Sequence, residues 1–154
     1  MQEVVDRLIK NGETIATMES CTGGYLAASI TDIEGSSNIL KFSAVTYSNE
    51  YKIKMGISKD TIDKYSVYSE EVAKEMSYNI SKYAGSTYGV GITGKFSNDD
   101  PANSRGSLNT IFVSIYNDGK YYTYQLHSTG TTRRENKQYI VDYIVERLKE
   151  IIKD

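Results

Sequence analysis

Ser20, Cys21, Tyr47 and Lys52 are the residues whose types and placement can do nucleophilic chemistry. Ser20 stands in Glu19-Ser20-Cys21-Thr22-Gly23-Gly24. A serine hydroxyl attacks poorly until a base takes its proton. The chain holds one histidine, His127. Lysine is then the natural base, provided burial or nearby positive charge lowers its pKa toward roughly 7–8. Lys52 ends the segment Val45-Thr46-Tyr47-Ser48-Asn49-Glu50-Tyr51-Lys52, and the Tyr47 hydroxyl can relay or donate a proton. Alone, Lys52 reads as a solvated surface lysine. Its pairing with Ser20 is what singles it out. Cys21 is a rival nucleophile, although a lone cysteine is more often a small buried hydrophobe.

These residues need elements that deliver them to one place. The β-type run Thr14-Ile15-Ala16-Thr17-Met18 leads into the Ser20 segment, and a helical pattern follows with Leu26, Ala27, Ile30 and Ile33 on one face. Such a strand-to-helix turn lifts Ser20 above the strand end, with the logic though not the sequence of a nucleophile elbow. It also leaves free N–H groups at the helix start, which with the helix dipole favour a phosphate, carboxylate or oxyanion. The plainer reading is a helix cap and a tight turn. Phe42 to Tyr47 reads as the strand that delivers Tyr47, and Ser48 to Met55 as a polar helix that delivers Lys52.

Val4, Val5, Leu8 and Ile9 mark an opening helix that stops near Asn11-Gly12. A short helix starts at Ser58-Lys59-Asp60 and reaches about Tyr65. A longer one is capped at Ser69-Glu70-Glu71, with Val72, Met76, Ile80 and Tyr83 on one face. Tyr88 to Thr93 is a strand, and Gly94 to Ser107 a polar loop with the only proline, Pro101. Leu108 to Tyr116 and Tyr121 to Leu126 form a hairpin through Asn117-Asp118-Gly119. Ile140, Ile144, Leu148 and Ile151 stripe a last helix. Strands alternating with helices, plus one hairpin, predict an α/β fold: a single-domain (1–154) three-layer α/β/α sandwich with a mixed, mostly parallel sheet.

Gly89-Val90-Gly91-Ile92-Thr93-Gly94 matches a dinucleotide fingerprint as a string. Its glycines lie inside a strand and no helix follows, so the context test fails. Glycines there mark close backbone packing. Gly94 still falls where open α/β sheets bind ligands, beyond strand carboxyl ends. Thr129-Gly130-Thr131-Thr132-Arg133-Arg134-Glu135-Asn136-Lys137 opens the last helix. Positive charge at a helix start is unfavourable unless an anion offsets it, so Arg133, Arg134 and Lys137 are candidates for a phosphate. His127, at a strand end, reads as structural or solvent-facing.

At 154 residues the chain suits one domain with a real core. A net charge of −2 argues against a general nucleic-acid binder. No apolar run approaches the roughly 18–20 residues of a membrane span, and no charged-then-apolar leader opens the chain. The expected setting is therefore the cytoplasm, with no nucleic acid and no membrane as partner. Self-association stays open. One cysteine and one histidine exclude an internal disulfide and a Cys- or His-cluster metal site. The 14 tyrosines, against 3 Phe and no Trp, suit core-edge positions where a hydroxyl reaches water or a partner.

Thr17 to Gly24, Thr31-Asp32-Ile33-Glu34-Gly35-Ser36-Ser37, and Val45 to Glu50 with Lys52 resemble the CinA C-terminal domain family. Val67 to Ala73 and Gly91-Ile92-Thr93-Gly94 continue the likeness in order. Members of that family include nicotinamide mononucleotide deamidases. The resemblance implies a cofactor-free, metal-free amidohydrolase of pyridine nucleotide salvage, with Ser20 as nucleophile and Tyr47 and Lys52 completing the catalytic set. Around them Glu19, Thr22, Gly23, Gly24, Ser48, Asn49, Thr93, Gly94 and Arg133 are candidates for holding substrate. The N–H groups of Thr22 to Gly24 are candidates for an oxyanion or phosphate. The chain departs from the family after Gly94, where a Gly-Ile-Ala-Gly-Pro type loop is replaced by Lys95-Phe96-Ser97-Asn98-Asp99-Asp100-Pro101. A Val-Gly-Thr-Val type strand likewise becomes Leu108-Asn109-Thr110-Ile111. The resemblance also implies a small-molecule nucleotide as substrate. The rewritten segment, Lys95 to Arg105, is expected to be mobile, and Asp99 and Asp100 would repel a ligand phosphate if they faced it. The alternative function is a non-catalytic homologue that binds a nucleotide or a protein.

Overall fold

The computed structural model describes residues 1–154. Its strands are β1 (Ile15–Glu19), β2 (Leu40–Val45), β3 (Tyr88–Lys95), β4 (Thr110–Asn117) and β5 (Lys120–His127). They form one sheet in the order β2-β1-β3-β4-β5. β1 pairs in parallel with both β2 and β3, while β3–β4 and β4–β5 are antiparallel. Four strands therefore run one way and β4 alone runs back. The expected mixed, mostly parallel sheet is what forms. β1 and β3 are buried along their whole length, which is why they read as near-continuous apolar runs.

Helices cover both faces. On one side lie α1 (Gln2–Asn11), α2 (Tyr25–Thr31) and α6 (Arg133–Ile151), whose apolar stripes meet the sheet through Val5, Leu8, Leu26, Ile30, Ile140 and Ile144. On the other lie α3 (Asn49–Lys54), α4 (Lys59–Tyr65) and α5 (Glu70–Ala84), with Val72, Met76 and Ile80 against Ala16 and Met18. The α5 backbone rests directly on β3. A Cβ added at Gly89 would stand 2.0 Å from the Ser77 carbonyl oxygen, and one at Gly91 2.4 Å from that of Ala73. The Gly-x-Gly string is thus a seat for a helix.

Ser58 and Ser69 accept the expected N-cap hydrogen bonds of α4 and α5, and Ser48 does the same for α3. Thr132 and Glu135 form a capping box on α6. Asp118 and Gly119 take φ of 43° and 80° between the paired Asn117 and Lys120, the double positive φ of a type I′ hairpin turn.

Three strands differ from expectation by two residues at a boundary, and one side chain faces elsewhere. β3 runs on through Gly94 and Lys95, because β4 pairs with it up to Thr110. β4 starts at Thr110 because Asn109, with φ of 56°, turns the chain just before it. β2 covers Leu40–Val45, so Thr46 and Tyr47 have left the strand. Tyr83 is 69% exposed, turned off the apolar face of α5 to stack on Phe42 with ring centroids 5.0 Å apart.

Candidate active site

The site lies beyond the carboxyl ends of β1, β2 and β3. Ser20 follows β1 directly, and its N–H donates to the Ile92 carbonyl at 3.0 Å, anchoring the turn to β3. Glu19 fixes the turn from inside. Its fully buried carboxylate accepts the Thr22 hydroxyl (2.7 Å), the Thr17 hydroxyl (3.2 Å) and the N–H groups of Leu26 (3.0 Å) and Ala27 (2.9 Å). The two amides are donors of the first turn of α2, so the chain's own anion fills the place expected for a ligand anion. That corrects two expectations. Glu19 and the Thr22 side chain are structural, and the start of α2 is not a free anion seat. Gly23 N–H is likewise spent on the Ser20 carbonyl, whereas those of Cys21, Thr22 and Gly24 have no acceptor within the chain. Gly23 and Gly24 carry φ of 60° and 95°, the left-handed backbone that lets the turn close so tightly.

Lys52 is 2% exposed. Its Nζ donates to the Thr46 carbonyl at 2.7 Å and to Ser20 Oγ at 3.1 Å. The Thr46 N–H is bonded in turn to the Glu19 carbonyl at 2.9 Å, so the support of the base hangs on β1. Burial pulls the Lys52 pKa down to about 8. Burial pushes the neighbouring Cys21 thiol up to about 12, which leaves it protonated and a poor nucleophile. Ser20 thus has a base in hydrogen-bond contact, and Cys21 is the buried hydrophobe of the plainer reading.

Ser20, Tyr47, Gly94 and Arg133 line one cleft of about 330 Å³ with Tyr68, Lys95 and the loop after β3. Tyr47 is 63% exposed, and its hydroxyl accepts from Arg133 Nη2 at 3.0 Å. It meets neither Ser20 nor Lys52 directly, so a direct proton relay through Tyr47 is not built here. Thr93 falls outside the cleft: it is fully buried and its hydroxyl donates to the Val67 carbonyl at 2.7 Å. Ser48 caps α3 and Asn49 faces the loop, so neither lines the cleft. His127 is exposed, with Nδ1 3.4 Å from the Thr110 hydroxyl.

The second half of the segment expected to be mobile carries a set of hydrogen bonds. Asp100 accepts the Tyr68 hydroxyl at 2.6 Å, Asn103 Nδ2 at 2.7 Å and the Ala102 N–H at 3.0 Å. The Asn103 and Tyr68 bonds hold its carboxyl below the usual carboxylate range. Asn103 and Asn49 exchange amide hydrogen bonds of 2.8 and 3.2 Å. Arg105 donates to the carbonyls of Ile62, Asp63 and Lys64 at the end of α4. Asp99 and Asp100 both line the cleft, Asp100 bonded to Tyr68, Asn103 and Ala102 and Asp99 85% exposed. The sequence reading missed Tyr68, and it missed Lys95 as a cleft residue. Lys95 has a side chain 2% exposed, with Nζ 3.9 Å from Asp99. Its one available signal was its place at the end of a buried strand.

The sequence profile of the CinA C-terminal domain matches residues 1–152. A Clostridium botulinum (strain ATCC 19397 / Type A) protein named as competence-damage inducible is 36% identical over 155 residues, covering 99% of this chain and 36% of that one. A Clostridium kluyveri protein of the same name is 38% identical over 133 residues, covering 85% of this chain and 32% of that one. The chain thus spans about a third of the length of these relatives. Among solved structures, a CinA superfamily protein from Klebsiella pneumoniae superposes with a TM-score of 0.91 at 25% identity, covering 98% of this chain and 94% of that one. One from Escherichia coli gives 0.89 at 25% identity, covering 97% and 87%. With the whole chain matched in profile and in fold, this protein belongs to the CinA family, through its C-terminal domain.

Proposed function

We propose that this domain is a serine–lysine amidohydrolase that deamidates a pyridine nucleotide. The reaction converts nicotinamide mononucleotide and water to nicotinic acid mononucleotide and ammonia. The observation that carries the chemistry is the 3.1 Å contact between the buried Lys52 amine and Ser20 Oγ. The substrate class rests on the family resemblance.

Neutral Lys52 takes the Ser20 proton as Oγ attacks the carboxamide carbon. The donors offered to the negative oxygen that forms are the Cys21 and Thr22 N–H groups of the turn after Ser20, which have no acceptor within the chain. Lys52 then passes its proton to the amide nitrogen, the C–N bond breaks and ammonia leaves. A water then gives a proton to Lys52 and its oxygen to the acyl carbon, the acyl–Oγ bond breaks to release the acid, and Lys52 returns the proton to Ser20 Oγ. Arg133, with Tyr47 against it, supplies the positive charge at the cleft lip for a substrate phosphate. No step calls for a metal or an organic cofactor.

The test is ammonia release from nicotinamide mononucleotide, with trapping of an acyl adduct on Ser20 by mass spectrometry. Ser20→Ala should abolish release while leaving ligand binding largely intact. Ammonia release that survives Ser20→Ala overturns the reading. Nucleotide binding without turnover in the native protein favours the non-catalytic alternative, which the loop built across the cleft supports.

A further inference from the structure

Lys95 is a buried charge of the cleft that neither the turn after β1 nor the reaction uses. It is the last residue of β3, its side chain is 2% exposed, and it lines the cleft together with Ser20. A buried ammonium is costly unless its three donors are met. An N–H···O bond is ordinarily no longer than about 3.2 Å, and Lys95 Nζ finds its one hydrogen-bond acceptor in the chain, the Ser104 carbonyl, at 3.4 Å. Asp99 stands 3.9 Å away and is 85% exposed, and the Tyr68 ring centre lies 5.3 Å off. Asp100 gives its oxygens to Tyr68, Asn103 and Ala102. The amine is thus shut away from bulk water and only loosely held by the chain.

Its place relative to Arg133 follows from the alternation of side chains along a strand. Phe96, the next residue, packs into the core with Leu26 and Ile140, and the Arg133 guanidinium lies over its ring at 5.0 Å. Lys95 turns to the opposite face, toward Tyr68, which packs against the core beneath α5. Each face of the sheet therefore sends one cation into the cleft of Ser20.

We propose that Lys95 is a specificity-determining residue, an anion contact separate from Arg133, so that the cleft takes an amide bearing two acidic groups, one for each cation. That the ligand is an amide rests on the serine–lysine reading above. The second acidic group is a carboxylate or a phosphate, which share the anionic oxygens an ammonium requires. Asp99 is its stand-in, a solvent-facing carboxylate that a ligand anion displaces into water. The exchange turns a 3.9 Å ion pair into a charge-assisted hydrogen bond of about 2.7–2.9 Å.

The ammonium itself supplies the readout. The ¹⁵N resonance of Lys95 Nζ, assigned by its loss in Lys95→Met, is followed at pH 7 and constant ionic strength while sodium acetate or, separately, inorganic phosphate is added. At least one of the two should move it saturably, and the tighter of them names the acidic group. Arg133→Ala should leave that response in place, because the two cations act separately. Asp99→Asn, at an exposed position, should tighten the binding about threefold, the scale of one exposed ion pair removed as competitor. A resonance that neither anion moves, a response lost in Arg133→Ala, or an Asp99→Asn protein that binds no tighter overturns the inference. The serine–lysine reading fails by a different result. Absence of a Ser20 adduct with a fluorophosphonate, beside an intact Lys95 response, overturns that reading and leaves the anion contact standing.

Discussion

Raising the pH should switch the Ser20 nucleophile on. The attack needs Lys52 as the free amine, and burial sets its pKa at about 8. About one-tenth of the protein then holds a neutral base at pH 7 and about nine-tenths at pH 9, a roughly tenfold gain in the reactive form. Phosphonylation of Ser20 by a fluorophosphonate, followed by intact mass, should rise by that factor and level off above pH 9. Lys52→Met should lower the rate by about 10²–10⁴, the usual worth of a general base, and remove the inflection. Cys21→Ala should behave as the native protein, since its buried thiol stays protonated across the whole range. The pairing of Ser20 with Lys52 is refuted by a rate that is flat between pH 7 and 9, by an inflection that survives in Lys52→Met, or by an adduct on Cys21.

The same buried amine must weaken the fold. With its pKa lowered in the folded state, Lys52 costs stability in full below about pH 8, and the cost fades as the pH rises to the unfolded value near 10.5. The penalty is about 3 kcal/mol at pH 7, so thermal melts of the native protein should gain on those of Lys52→Met between pH 8 and 10.5; parallel curves would contradict it. Glu19→Gln should lower the melting temperature, because the amide sets its NH2 against two of the four groups that already donate, one of them a backbone N–H. The cost is about 2–4 kcal/mol, and a variant with native stability and a raised KM would restore Glu19 as a substrate contact. Native kcat/KM on nicotinamide mononucleotide should fall below the ordinary enzyme range of roughly 10⁴ M⁻¹s⁻¹, and a Gly-Ile-Ala-Gly-Pro type loop grafted after Gly94 should raise it. An ordinary native value unchanged by the graft would make the rewritten loop neutral.

The core of the site was legible because its logic is local. A strand, a Ser-Cys-Thr-Gly-Gly turn and a helix place Ser20 by themselves, and the scarcity of histidine leaves Lys52 as the base. Glu19 was misread for a reason equally local in sequence but not in geometry. The turn at Gly23 and Gly24 swings the start of α2 back over β1, and only then do the Leu26 and Ala27 amides point at residue 19. A string of residues shows open N–H groups and a nearby carboxylate, not that the two have met. Tyr47 was placed on a strand it has left. The parallel register of β1 and β2 ends at Glu19 and Val45, and the chain then turns so that the Thr46 carbonyl faces Lys52.

The loop after β3 was the least legible part, and the reason says something about the site. Read alone, Asn98, Asp99, Asp100 and Asn103 are a polar stretch with nothing to hold it. The partners of Asp100 and Asn103 are Tyr68, which precedes the cap of α5, and Asn49, which opens α3, and no periodicity links them. A glycine-rich loop serves a ligand by bringing backbone close. This one puts side chains across the cleft and fastens them to the helix of the base. The Ser20–Lys52 pair is held from below by β1, through Glu19 and Thr46, and from above by the loop, through Asn103 and Asn49. The lower support draws on the segments that carry the family resemblance. The upper one hangs on the residues that depart from it, so any difference in substrate from other members is to be sought between Lys95 and Arg105.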